Sequence, residues 1–112
     1  MFHMVTTVKE YFDTLPGRFR SEAAAGVRAV FQFELSGPGG GTYSVTVDGK
    51  NLSIAPEAHA APTVTLRMAA EEYVKLANGK LNGHWAFATG KMKIGGDLMV
   101  AMKLQSLFPP QP

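Results

Sequence analysis

The sequence predicts a two-layer α+β domain: a five-stranded, mainly antiparallel sheet with helices on one face. Three observations predict it. Five segments alternate apolar and polar residues with a period of two, as half-buried strands do. Helix-forming stretches with start and stop residues flank and separate them. In each strand one face is polar, so the sheet needs cover on the other face only, and all helices should lie on that side.

Thr7 and Glu10 form a capping box: the hydroxyl takes a backbone N–H of the first turn while the carboxylate reaches back. A first helix follows from about Val8 to Leu15 and stops at Pro16-Gly17. Arg18 to Ala25 reads as a short second helix closed by Gly26. Val27, Ala29, Phe31, Phe33 and Leu35 alternate with Arg28, Val30, Gln32 and Glu34 in a first strand. The Gly-rich stretch from Ser36 to Gly41 is a loop, and Tyr43, Val45 and Val47 mark a second strand. Asp48-Gly49 is a tight-turn signal into a third strand carrying Leu52 and Ile54, which completes an antiparallel meander. Beyond a connection from Pro56 to Pro62, Val64, Leu66 and Met68 alternate in a fourth strand. Ala69 to Ala77 forms a helix with Glu71 and Glu72 near its start and Lys75 near its end, closed by Asn78-Gly79. A short helix around Trp85 and Phe87 ends before Gly90. Met92 and Ile94 mark the fifth strand, and Asp97 caps a last helix running to about Leu107. Residues 1–108 thus make one domain, with a Pro-rich tail at 109–112.

Composition narrows function. With 112 residues the chain fits one core, burying roughly two thirds of its unfolded surface. Eleven basic and nine acidic residues give a net charge of +2, far from the basic excess of a nucleic-acid binder, so no nucleic-acid partner is expected. The halves divided after Pro56 carry five basic against five acidic and six against four. There is no cysteine, which removes disulfide and thiolate chemistry and suits a reducing compartment. Met1 to Glu10 lacks the pattern of a secretory signal, and cytoplasmic residence is the expectation.

Catalytic patterns are missing. His3, His59 and His84 are not at metal-ligand spacing. The serines stand in ordinary strand, turn or helix contexts, without a nucleophile elbow. Gly90-Lys91 resembles the end of a phosphate loop, but the preceding Gly83 is wrongly spaced and Met92 replaces the Mg²⁺-binding hydroxyl. The Gly37 to Gly41 run joins two strands with no helix after it, unlike a dinucleotide fingerprint. No cofactor is implied.

Apolar chemistry is abundant instead. Leu98, Met99, Val100, Ala101, Met102, Leu104, Leu107 and Phe108 cover most of the last helix, which must therefore touch something on a second side: other helices, a partner chain or an apolar ligand. Four of the six methionines, Met68, Met92, Met99 and Met102, lie in this half, and thioethers adapt to irregular apolar surfaces, although the same residues serve as ordinary core filler. Leu76, Leu81, Trp85 and Phe87 form an apolar cluster edged by Lys80, Lys91 and Lys93, which fits either a ligand mouth meeting an anionic membrane or plain packing with snorkelling lysines.

The stretch from Pro62 to Phe108 resembles the sterol carrier protein 2 (sterol-binding) family. It carries Thr63-Val64-Thr65-Leu66 before an acidic helix, then Gly79-Lys80-Leu81. Ala86-Phe87-Ala88-Thr89-Gly90-Lys91-Met92-Lys93-Ile94-Gly95-Gly96-Asp97 follows, and then Ala101-Met102-Lys103-Leu104 to Leu107-Phe108. Phe31-Gln32-Phe33 before a Gly-rich hairpin extends the likeness to nearly the whole chain. The resemblance implies a cofactor-free carrier with an apolar tunnel between sheet and helices, walled in part by the C-terminal helix. Family members bind fatty acids, acyl-CoA, phospholipids or sterols. The ending Pro109 to Pro112 lacks the Ser-Lys-Leu of peroxisomal members.

The expected lining is Phe31, Phe33, Tyr43, Met68, Tyr73, Leu76, Trp85, Phe87, Met92, Ile94, Met99 and Met102, with no catalytic or metal-binding residue among them. The expected partners are a lipid or other apolar small molecule and a transient membrane surface, with the chain a monomer or weak homodimer. The competing reading is an accessory domain whose C-terminal helix packs on a partner chain or enzyme.

Overall fold

The computed structural model describes residues 4–109. Its five strands are β1 (Arg28–Ser36), β2 (Gly41–Asp48), β3 (Asn51–Ala55), β4 (Val64–Ala69) and β5 (Met92–Gly96), in the sheet order β3-β2-β1-β4-β5. All pairings are antiparallel except β1 with β4, which is parallel.

Because side chains alternate across a strand, register decides what shares a face. Here Phe31 stands opposite Val45 and Val64, with Ile54 beyond Val45. Phe33 stands opposite Tyr43 and Leu66, with Ile94 beyond Leu66. Leu35, Met68 and Met92 form the next row. These rows make one continuous apolar face whose centre, Phe31 and Phe33, is only 1% exposed. At Gly96, paired with Val64 at the end of β5, a Cβ would run into the Thr63 carbonyl, and φ is +87°. Glycine is required there for the chain to leave the sheet.

The helices cover this inner face. Helix α1 (Val8–Arg18) sets Phe12 against Phe33 and Tyr43, with ring centroids 5.3 and 4.0 Å apart. Helix α2 (Ala70–Ala77) sets Tyr73 against Phe33 at 5.6 Å. Three short helices follow: α3 (Gly83–Ala88), α4 (Leu98–Ala101) and α5 (Leu104–Leu107). The capping signals act as expected. Glu10 N–H donates to Thr7 Oγ1, Trp85 N–H to Asn82 Oδ1 and Val100 N–H to Asp97 Oδ1. Asn78 Oδ1 accepts from Val5 N–H and its Nδ2 donates to Val5 O, tying the start of the chain to the end of α2.

Four features differ from the sequence expectation. Helix α1 does not stop at Leu15 but runs through Pro16 to Arg18. Proline removes one late N–H bond, which a final turn tolerates when the residues beyond it are buried, as Arg18 is. The second helix contracts to a 3-10 turn at Ser21–Ala24. The last helix is not continuous: between α4 and α5 the bonds tighten to i→i−3, from Lys103 N–H to Val100 O and from Ser106 N–H to Lys103 O. Finally, the polar face is not wholly wet. The connection between β3 and β4 crosses it, His59 N–H donating to Gln32 Oε1 at 2.9 Å, and this buries Gln32. Beside it Arg67 Nε donates to Glu34 Oε1 at 2.8 Å, and this bond, followed by that from Gln32, holds the Glu34 carboxyl below its ordinary range.

Candidate lipid-binding site

A cavity of about 280 Å³ lies between the inner face and the helices. Phe31, Phe33, Val64, Leu66, Met92 and Ile94 form its floor. Tyr11 of α1 and Tyr73, Leu76 and Ala77 of α2 make one wall, and α3 adds Gly83, His84 and Phe87. Helices α4 and α5 close it with Leu98, Ala101, Met102, Leu104 and Gln105, followed by Phe108 and Pro109. The lining at one side is exposed, with Phe87 at 46%, Leu98 at 49% and Met102 at 61%, and this marks the mouth. Tyr11, Tyr73 and Phe108 are buried.

Of the expected lining, Phe31, Phe33, Tyr73, Leu76, Phe87, Met92, Ile94 and Met102 come together around this volume. Tyr43, Met68, Trp85 and Met99 do not. Tyr43 shares the row of Phe33, but Phe12 stacks on it and screens it from the cavity. Met68 is buried in the core where β4 turns into α2. Trp85 stands two positions from Phe87, about 200° around a helix, so when Phe87 faces the cavity Trp85 faces out, 54% exposed. On α4 the residues Leu98, Ala101 and Met102 share a face at i, i+3 and i+4, and Met99 falls off it, 74% exposed.

Several lining residues were missed. Val64 and Leu66 were signalled by their alternation, since each shares an inner row with a predicted phenylalanine. Tyr11 was signalled by the inward stripe Val8, Tyr11, Phe12, Leu15. Pro109, expected to begin a tail, lines the cavity; the rest of that tail lies outside the described residues, as does His3. Among the described residues no group of three or more His, Asp or Glu could hold a metal ion, and no helix is long and apolar enough to cross a membrane.

Leaving about 280 Å³ dry would cost on the order of 7 kcal/mol at roughly 24 cal/mol per Å³, comparable to the stability of a whole domain. Such a volume persists only if filled by ligand or water, or if its walls can close.

Residues 12–109 match the SCP-2 sterol transfer family. The chain belongs to that family. Hydroxysteroid dehydrogenase-like protein 2 of Rattus norvegicus is 36% identical over 105 residues, which cover 90% of this chain and 20% of that protein. Sterol carrier protein 2 of the same organism is 39% identical over 84 residues, covering 72% of this chain and 15% of that protein. The chain therefore spans about a fifth or less of the length of these two relatives. The solution structure of Sterol Carrier Protein-2 from Aedes aegypti, in complex with the C16 fatty acid palmitate, has the same fold. Its TM-score is 0.67 at 20% identity, covering 92% of this chain and 94% of that one.

Within this SCP-2 fold the buried end of the cavity carries two phenols. The Tyr11 and Tyr73 rings meet edge to face at 5.1 Å. Burial pushes the Tyr11 phenol up to about 12, opposed by the neighbouring Tyr73 hydroxyl and the Arg18 charge. Burial also raises Tyr73 well above its ordinary value, helped by Tyr11. A phenol whose folded value exceeds its unfolded value binds its proton more tightly when folded. The stability this contributes is complete below pH 10 and disappears as pH rises through the folded value. Urea midpoints are expected to begin falling near pH 10 and to lose the equivalent of roughly 2 kcal/mol by pH 12 through Tyr11 alone. Tyr11→Phe should flatten that decline, and an unchanged profile in the variant would refute the assignment.

Proposed function

We propose that this chain is a non-enzymatic carrier holding one single-chain apolar lipid, of the fatty-acid, acyl-CoA or sterol-like kind, in the cavity between sheet and helices. The observation that carries the reading is a mainly apolar volume between sheet and helices that opens between exposed Phe87, Leu98 and Met102. At about 280 Å³ it stands at the small end of ligand sites, roughly 300–1,000 Å³, which favours one acyl chain over a two-chain phospholipid. The palmitate held by the Aedes aegypti protein supports the same ligand class. Burying about a dozen methylenes is worth roughly 10 kcal/mol before association costs of about 4 to 15, so apolar contact alone supports modest affinity.

The mouth also suits a brief meeting with a membrane. Trp85, Phe87, Leu98, Met99 and Met102 are exposed. The segment from Lys80 to Phe108 carries four lysines (Lys80, Lys91, Lys93 and Lys103) against one aspartate, Asp97, which favours an anionic lipid surface. A partner chain seated on this patch is the competing reading.

Native mass spectrometry of the protein purified from its host, followed by extraction of bound material, tests the proposal. A mixed set of lipids at one per chain is expected. A uniform lipid-free dimer that does not respond to added fatty acid would overturn the carrier reading in favour of an interaction domain.

A further inference from the structure

The polar face of the sheet carries a second hollow, about 450 Å³ and open to solvent, which shares no lining residue with the lipid cavity. It lies where the parallel strands β1 and β4 both end and where β2 and β5 begin. Register builds it. Thr42, Glu34, Arg67 and Lys93 stand in one row across four strands. In the next row Ser36 stands opposite Ala69, and extending the β4–β5 register by one residue brings Lys91 beside Ala69. Lys91 and Lys93, two positions apart, share a face, with Met92 turned inward between them. Ala69 contributes only a methyl between Ser36 and Lys91, and that shortness leaves the hollow. The Gly90-Lys91 pair, which fails as a phosphate loop, lies here too: Gly90 turns the chain at φ +80° and a strand, not a helix, delivers the lysine.

Charge in the hollow is unbalanced. Three cations, Arg67, Lys91 and Lys93, meet one carboxylate, that of Glu34. Both oxygens of Glu34 are engaged, Oε2 accepting from Gln32 Nε2 at 2.7 Å and Oε1 from Arg67 Nε at 2.8 Å. This grip fixes the guanidinium by Nε and leaves its two Nη groups as donors. Lys91 lies 3.5 Å from Glu72, a carboxylate that also meets Lys75 at 3.8 Å. Among the described residues Lys93 makes no ion pair. The hydroxyls of Ser36 and Thr42 add donors across the hollow. Strands lie about 4.8 Å apart and alternate residues on one strand about 6.6 Å, so the cationic stems rise within roughly 5–8 Å of one another. Two linked phosphates fill such a span, and one does not.

We propose that this hollow is a second binding site, for the diphosphate group of a soluble small molecule, held by Lys91, Lys93 and the Nη groups of Arg67. The exposed Trp85, Phe87, Leu98, Met99 and Met102 do not line it, so a soluble diphosphate ester fits it better than a membrane headgroup. Lysines also guard exposed sheet edges against pairing, and β5 is an edge strand. That role, however, needs neither the guanidinium on β4 nor the hollow beside it.

Titration of inorganic pyrophosphate into the isotope-labelled full chain at neutral pH and low salt, followed by amide chemical shifts, tests the site. Saturating shifts centred on residues 34–36, 41–42, 67–69 and 90–93 are expected. Half-saturation should come at or below about 1 mM, with orthophosphate at least about tenfold weaker. Lys91→Gln/Lys93→Gln changes two exposed side chains and should fold, yet weaken pyrophosphate at least about tenfold. Lys9→Gln/Lys50→Gln removes as much charge from α1 and the β2–β3 turn and should leave binding within about twofold of wild type. A response that never saturates, shifts spread over all the lysines, or an equal loss in the two double variants would overturn the site and leave Lys91 and Lys93 as guards of the sheet edge. The carrier reading stands in every case, because hollow and cavity have no residue in common.

Discussion

Phe33→Ala is expected to cost roughly 3–5 kcal/mol, a large share of the 5–15 kcal/mol that holds a typical domain together. For a chain of this size that corresponds to a fall in Tm of roughly 15–30 °C, measurable by circular dichroism. Phe33 sits 1% exposed at the centre of the inner face, between Tyr43 and Leu66, with the rings of Phe12 and Tyr73 against it. Removing it takes away the common surface on which α1 and α2 rest. It also borders the cavity, so truncation enlarges an existing volume that the neighbours do not close, and the cost should fall toward the upper end of the range. Trp85→Ala makes the contrast, because an aromatic residue 54% exposed on α3 should change stability by less than about 0.5 kcal/mol. Similar losses in both variants would place the core elsewhere.

The strands were legible because alternation and turn chemistry are local. Phe31 and Phe33 announced their face, and the glycine of Asp48-Gly49 adopts φ +59° at the β2–β3 turn. The parallel pairing of β1 with β4 was not legible in the same detail, since it depends on a connection that crosses two strands and is fixed by long-range bonds, from Thr63 N–H to Val30 O and from Val30 N–H to Thr63 Oγ1. Helix ends were the weakest reading. Pro16 is a local stop signal, but burial of the residues beyond it prevailed. The run from Leu98 to Phe108 looked like one apolar cylinder, yet breaking it lets Leu98, Ala101 and Met102 from one turn and Leu104 and Phe108 from the next address the same volume.

For the site, residue type revealed the chemistry but not the direction of each side chain. Phe87 and Trp85 are equally apolar, and only the helix phase separates a lining residue from an exposed one. Tyr43 and Tyr73 carry the same phenol, but α1 screens the first and α2 presents the second. Arg18 carried no signal at all: a lone arginine after Pro-Gly reads as a surface residue, and its burial follows only from the extra helical turn.

Ala101→Phe should separate ligand binding from folding, because its two readouts move in opposite directions. Ala101 is half-buried on α4 and its side chain faces the cavity together with Leu98 and Met102. A phenyl ring added there takes the room of about four methylenes of ligand, each worth roughly 0.8 kcal/mol, so fatty-acid affinity should fall on the order of a hundredfold. The same ring supplies contacts that the lipid-free walls lack, so the Tm of delipidated protein should hold or rise. Met99→Phe lies on the same short helix but off the cavity face and should leave both readouts unchanged. A hundredfold loss with a lowered Tm would mean that the ring had strained α4. Unchanged affinity would place the acyl chain outside this volume, against the exposed patch of Trp85 and Met99, and the carrier reading would then give way to a surface-binding one.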